Sequence, residues 1–301
     1  MPRKVSVTKF SGVWLPVITP FTAGEIDYPG YERLVDYYVR AGVAGVIPLG
    51  TTGESPTVDE TEAETLIERT VAVVAGRVPI VVGVGGNDTR KVVKSVKRLD
   101  RHAVDGVLCV CPYYSRPSQD GMREHFIRVA EATDRPILIY NIPYRTGVNL
   151  ENDTLLALAE VPRVAGVKDS SGNIAQSLDL LRRRPEGFAV LTGEDAYFYT
   201  MLAHGADGGI LASAHIETER FLAVYRRIIA NDHEGAHTMW STLETLVPLL
   251  FKEPNPMPIK HCLWRQGLIQ SAECRLPLTR VSELLGHELD RAAGRVGSAA
   301  A

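Results

Sequence analysis

The chain has 301 residues, more than a common single-core domain but the size of one α/β barrel with an appendage. Apolar residues make up 45% and charged residues 23%, the balance of an ordinary soluble globular protein. A net charge of −3 and a pI near 6.3 give no electrostatic case for nucleic acid or an anionic membrane as a partner, and no stretch approaches the ~20 apolar residues of a membrane helix.

The opening MPRKVSVTKF is basic, but no long apolar run follows it, so no secretory signal is expected. Eight short β-rich runs then recur: WLPVITP (14–20), GVIPLG (45–50), PIVVGVGG (79–86), GVLCVCPYY (106–114), RPILIYNIP (135–143), VAGVKDSS (164–171), FAVLTGED (188–195) and DGGILAS (207–213). Most are continuous rather than alternating, as parallel strands buried on both faces require. Helical periodicity fills the gaps. Residues 58–74 put Ala63, Leu66, Ile67, Val71 and Val74 on one face, with Thr57 and Glu60 as a capping box. Residues 89–100 do the same with Val92, Val93, Val96 and Leu99, and a further helix spans about 217–230.

Eight strand–helix units in succession predict a (β/α)8 TIM barrel over residues 1–231. A doubly wound open sheet is the runner-up, because strand order cannot be read from the pattern. Residues 232–301 carry helical patterns and no convincing strand, interrupted by four prolines between 248 and 258, which predicts a small C-terminal helical domain with a rigid bend. The final GRVGSAAA is expected to fray. Cys109, Cys111, Cys262 and Cys274 form no C-x-x-C pair and read as packed small residues of a reducing, cytoplasmic protein.

Residues at the C-terminal strand ends line the mouth of a parallel barrel. Thr51 and Thr52 follow the second run, Tyr113 and Tyr114 end the fourth, Tyr140 ends the fifth and Lys168 the sixth; Gly193 and Ile210 lie on the seventh and eighth. A lone ammonium at the mouth of a buried strand is costly unless paired or deprotonated. Held partly neutral, Lys168 is a nucleophile able to form a Schiff base with a ketone. GTTGES (50–55) and YNIPYRTG (140–147) add hydroxyls and Arg145, suited to a small keto acid, so the three segments point to a lysine-dependent aldolase or lyase. Each residue alone has a plainer reading. Lys168 could pair with Asp169 or Glu194, Tyr140 and Tyr114 could be core or interface aromatics, Thr51 and Thr52 could turn the chain, and Arg145 could be a solvated loop charge. Glu54 reads as a structural carboxylate and EPNPMPIK (253–260) as a turn without catalytic duty. The eight histidines include no H-x-H, the first run offers no ligand pair, and the H-E-x-x-H spacing of HEGAH (233–237) lies outside the eight β-rich runs, which disfavours a metal-dependent hydrolase barrel.

Five motifs in register, GTTGES, PYYSRPSQ, YNIPYRTG, GVKDSSGN and EPNPMPIK, make the chain resemble the dihydrodipicolinate synthase / N-acetylneuraminate lyase family of pyruvate-dependent class I aldolases over almost its whole length. PYYSRPSQ, Arg145 and EPNPMPIK resemble the synthase branch more than the sialic acid lyase branch. The resemblance implies that Lys168 forms an imine with pyruvate and that Tyr140 passes protons through Thr51 and Tyr114, the latter reaching into a neighbouring subunit. It implies that Thr52 and adjacent amides hold pyruvate's carboxylate and that Arg145 binds the carboxylate of L-aspartate 4-semialdehyde. The implied product is 4-hydroxy-tetrahydrodipicolinate, on the route to lysine, with no metal or organic cofactor and a homotetramer built as a dimer of dimers. Glu60, Ala63 and Lys91 stand where family members that lysine inhibits carry histidines and a glutamate, so inhibition by lysine is expected to be weak or absent. Tyr144 is bulkier than the residue frequent at that place, and with His215 it leaves open a sister activity on a sugar-derived 2-keto acid. A non-catalytic keto-acid-binding paralogue is the alternative from another class.

Overall fold

Apolar runs buried on both faces have one stable arrangement here, a ring in which each strand hydrogen-bonds the next and helices cover the outside. The computed structural model describes residues 10–298. Its strands are β1 (Gly12–Leu15), β2 (Phe21–Thr22), β3 (Glu25–Ile26), β4 (Gly45–Val46), β5 (Val81–Val84), β6 (Gly106–Val110), β7 (Ile137–Asn141), β8 (Val164–Asp169), β9 (Ala189–Thr192) and β10 (Gly208–Ile210). Eight of them pair in parallel in the order β4-β1-β10-β9-β8-β7-β6-β5. A bridge between Val46 and Ile80, with the Gly83 amide donating to Pro48 O at 2.9 Å, brings the two ends together. The ring is a (β/α)8 barrel, and the open-sheet alternative falls because the two ends of the strand order, β4 and β5, meet each other.

The strands are shorter than the runs that announced them. Pro16, Pro48, Pro112 and Pro143 each follow closely on a strand end, and proline has no N–H to continue a ladder. Those prolines turn the chain into loops at one rim, where the mouth forms. Alternation then sorts the side chains. Trp14, Ile47, Val81, Leu108, Leu138 and Ile210 fill the barrel interior, whereas Val13, Leu15, Val107, Ile139, Val167 and Val190 pack outward beneath the helices.

Three local expectations shift. The helix expected from 58 begins at Glu60, and its capping box is Asp59 with Glu62, because Ser55–Thr57 form a 3-10 turn and the Thr57 hydroxyl donates to Glu54 O at 3.0 Å instead. The hairpin β2–β3 had no sequence signal beyond Ala23–Gly24, both at positive φ, since two-residue strands carry no periodicity. The last helix runs Glu283–Ser298, so much of the tail expected to fray is helical; residues 299–301 lie outside the described residues, as do residues 1–9, on which the reading of no secretory signal rested.

After the helix Thr218–Ile229 come helices His233–Ser241, Leu246–Leu249 and Met257–Arg265, with the proline-rich bend between the last two. Trp240 packs against Phe221 and Phe198 at ring separations of 6.1 and 6.4 Å, and Leu246, Ile259 and Leu263 join the core under the barrel helices. All four cysteines are buried and free. Among the described residues no helix is long and apolar enough to cross a membrane.

Candidate active site

In β8, Val167 faces outward, so the next residue, Lys168, faces the barrel interior. It lies opposite Tyr140 in the β7–β8 register, and its Nζ sits 4.1 Å from the centre of the Tyr140 ring. Lys168 is 6% exposed. Among the described residues no carboxylate lies within ion-pair distance of it. Asp169, the nearest acid in the chain, has its carboxylate engaged by the Ser171 amide at 3.0 Å and by the Ser177 hydroxyl, so the pairing that would have made Lys168 structural is absent.

Burial pushes the Lys168 ammonium down to about 8, against the pull of Asp195, Tyr144 and Glu194 in the other direction. Burial also pushes the two acids up, Glu194 to about 7 and Asp195 to about 6, the latter held back by the Ser213 amide at 2.6 Å. Desolvation therefore outweighs attraction in this cluster, and about a tenth of Lys168 is a neutral amine at pH 7.

Tyr140 is 5% exposed, and burial raises its phenol to about 12, while the hydroxyls of Thr51 and Ser170 beside it act in the opposite direction. A phenol so placed is a proton donor first and a base only through a relay. Gly193 explains itself sterically. A Cβ there would lie 2.2 Å from Ser170 Oγ and 2.5 Å from Lys168 Cε, so only glycine leaves the lysine room. Ile210 is buried in the barrel interior at the floor of this group.

The turn after β4 supplies donors. The N–H groups of Thr51 and Thr52 donate to no described residue, whereas those of Gly53 and Glu54 close the turn onto Gly50 O and Thr51 O at 3.1 Å each. Thr52 is buried, and its Oγ1 accepts from Asn255 Nδ2 at 2.9 Å. Glu54, two residues on, forms a buried ion pair with Lys260 and accepts from the Arg275 amide at 3.0 Å. It is the structural carboxylate expected. The EPNPMPIK segment, read as a turn, also supports the threonine turn through Asn255 and Lys260; that contact crosses 203 residues and left no sequence signal.

Arg145 lies in the short helix Pro143–Thr146, exposed, with its guanidinium 5.4 Å above the Tyr144 ring and its Nε donating to the Tyr144 hydroxyl at 3.4 Å. A cavity of about 530 Å³ opens at Thr51, Tyr140 and Arg145 and extends past Glu60 and Ala63. Lys91 stands exposed on the helix Thr89–Arg98. Tyr114 is apart from the rest, 88% exposed on a backbone with φ of 70°. The structure thus brings Lys168, Tyr140, Thr51, Thr52, Gly193 and Ile210 to one end of the barrel, puts Arg145 at its rim and leaves Tyr114 outside. His215 is buried; its Nδ1–H donates to Ala212 O at 2.8 Å and its Nε2 accepts from the Ile18 amide at 3.3 Å, with burial lowering the ring to about 4. It is a neutral, fully bonded core residue. Ser170, beside Tyr140 and Gly193, escaped sequence reading, and Glu194, named there only as a counter-ion, acts on Lys168 without pairing with it.

The family model described as "Dihydrodipicolinate synthetase family" matches residues 9–294. The chain is 48% identical to 4-hydroxy-tetrahydrodipicolinate synthase 2 of Clostridium acetobutylicum, over 94% of this chain and 99% of that protein. It is 39% identical to the 4-hydroxy-tetrahydrodipicolinate synthase of Porphyromonas gingivalis, over 90% and 92% respectively. The structure superimposes on dihydrodipicolinate synthase of Thermotoga maritima with a TM-score of 0.94 at 36% identity, covering 96% of this chain and 99% of that one. A synthase from Acinetobacter baumannii solved with pyruvate superimposes with a TM-score of 0.92 at 34% identity, covering 95% and 99%.

Proposed function

The chain belongs to the dihydrodipicolinate synthetase family, and from that premise we propose that it condenses pyruvate with L-aspartate 4-semialdehyde to give 4-hydroxy-tetrahydrodipicolinate through an imine on Lys168. The observation that carries the role of Lys168 is its burial, an amine enclosed in the barrel with no carboxylate within ion-pair distance among the described residues and desolvation outweighing the pull of Asp195 and Glu194. The activity is that of a lyase in lysine biosynthesis. Pyruvate is bound covalently as a substrate, and no separate cofactor takes part.

The neutral Lys168 amine adds to the C2 carbonyl; its two protons pass to the departing oxygen by way of Tyr140, which gives up and regains a proton, and the oxygen leaves as water, forming the imine. Loss of a C3 proton gives the enamine, which attacks the aldehyde carbon; the new alkoxide takes up a proton. The amine of the second substrate then adds to C2, the C2–Nζ bond breaks, Lys168 is released and a six-membered ring closes. The Thr51 and Thr52 amides and the Thr52 hydroxyl receive pyruvate's carboxylate, and Arg145 receives that of the aldehyde with its planar fork. Tyr114, exposed on this chain, serves the relay of a second copy, which makes the dimer the smallest active unit and fits a tetramer of two such dimers. Residues 1–231 carry the chemistry, 232–301 form a helical domain that supports it, and the enzyme works in the cytoplasm.

The sister reading on sugar-derived keto acids loses His215, which is closed into the core, and keeps only Tyr144. Borohydride reduction in the presence of pyruvate, followed by peptide mapping, tests the proposal. Wild-type protein should gain one reduced pyruvate adduct on the Lys168 peptide, and neither Lys168→Ala nor Lys168→Arg should gain any, since arginine keeps the charge but not the neutral amine. An adduct on another peptide, or none, defeats the mechanism.

A further inference from the structure

Thr52 and Asn255 meet across 203 residues of the chain, and the direction of their hydrogen bond has a chemical consequence. A hydroxyl has one hydrogen to give and two lone pairs to accept with. Asn255 Nδ2 donates to Thr52 Oγ1 at 2.9 Å, so one lone pair is occupied and the hydroxyl hydrogen must point elsewhere. No described residue accepts it, and Thr52 is only 2% exposed. The N–H groups of Thr51 and Thr52 are likewise without a protein acceptor. A buried turn with three unanswered donors is arranged for an anion, because donors left unpaired away from water are otherwise destabilising.

The segment that carries Asn255 is anchored. Asn255 is 8% exposed, its Oδ1 meets no described partner, and the helix that follows carries Lys260, whose Nζ pairs with Glu54 and donates to Glu273 O at 2.8 Å. Glu54 lies two residues after Thr52, so the turn and the segment that orients it are fastened to each other at two points. Asn255 also lines the cavity that opens at Thr51 and Tyr140.

Building on the imine reading above, we propose that Asn255 is a positioning residue that aims the Thr52 hydroxyl hydrogen at the carboxylate of the bound keto acid. It touches no reacting atom, so it acts on the affinity for pyruvate and leaves the chemistry at Lys168 alone. The test uses the full chain and reads the pyruvate concentration that half-saturates borohydride trapping on Lys168, together with the limiting trapping rate. Asn255→Ala removes the donor and should raise the half-saturating concentration about 5- to 10-fold. Asn255→Asp, nearly the same shape, accepts the hydroxyl hydrogen instead of freeing it and adds a like charge, so the rise should be larger, about 30-fold or more. The limiting rate should change by less than about threefold in both. In a Thr52→Val background, with no hydroxyl to aim, Asn255→Ala should add less than about twofold.

A merely structural asparagine predicts the reverse order, with the near-isosteric aspartate milder than alanine. An amide turned the other way, accepting from Thr52, predicts that aspartate matches wild type. Either result overturns the proposal, as does an effect of Asn255→Ala that persists without the Thr52 hydroxyl. Wild-type protein that gives no adduct at all defeats the imine reading and this proposal with it, whereas adducts of indistinguishable concentration dependence in all variants defeat this proposal alone.

Discussion

Two lysines are buried among the described residues, and they have opposite fates. Lys260 is fully enclosed with a complete set of partners: the Glu54 carboxylate, the Glu273 carbonyl at 2.8 Å and the face of Phe21 at 4.2 Å. Lys168 has the face of Tyr140 at 4.1 Å and no carboxylate within ion-pair distance among the described residues. Burial lowers the proton affinity of both, and it is the dominant cause in both. Desolvation alone therefore does not make a buried lysine a nucleophile. What distinguishes them is where the acids went: Glu54 is committed to Lys260, while Asp169, beside Lys168, is engaged by Ser171 and Ser177 and turned away from the amine. One lysine fastens the C-terminal segment to the threonine turn, and the other keeps its lone pair available.

The contrast can be broken at either lysine. The largest effect should come from Lys168→Met, which should lower adduct formation by more than about 1,000-fold while leaving the unfolding free energy equal or higher by about 1 kcal/mol, because no pair is lost. Denaturant titration beside the trapping assay checks both halves. Glu54→Gln should act the other way round, destabilising by about 3–5 kcal/mol by stranding the Lys260 charge. A stability loss in Lys168→Met that equals that of Glu54→Gln would erase the distinction. Tyr140→Phe removes a proton path and leaves the carboxylate turn intact, so trapping should slow about 100-fold with the half-saturating pyruvate concentration little changed.

The smallest effect is a pH dependence that sharpens the contrast. With the Lys168 ammonium lowered to about 8, the trapping rate should rise about tenfold per pH unit below that value and level off above it. Stability follows by linkage. The folded state binds the proton less tightly than the unfolded chain, whose lysine titrates near 10.5, so the penalty is full below about pH 8 and is relieved as pH climbs toward 10.5. Wild type should gain stability relative to Lys168→Met across that window, and parallel curves for the two proteins would mean that the amine is not desolvated.

Most of the barrel was legible because parallel strands covered on both faces must be apolar on both faces, and eight such runs stand out between amphipathic helices. Half of their ends followed from prolines, those of β1, β4, β6 and β7. The hairpin β2–β3 and the capping box at Asp59 were not legible, the first because its strands are too short for a period and the second because a 3-10 turn displaced the helix start by two residues. In the site, Lys168 announced itself as a charge at the end of an apolar run, and Gly193 was placed correctly on the seventh run without the reason, the close approach of Lys168 and Ser170, being visible.

The amino-acid order by itself determined which strand ends carry a nucleophile, a phenol, two threonines and an arginine, since local burial and the barrel pattern follow from periodicity alone. Only the folded chain decided that the nucleophile has no carboxylate within ion-pair distance among the described residues, that Glu54 belongs to Lys260 and that Asn255 donates to Thr52. Those outcomes depend on which side chains a closed ring places within a few ångströms of one another, and electrostatic and hydrogen-bond energies in a low-dielectric interior are settled at that range.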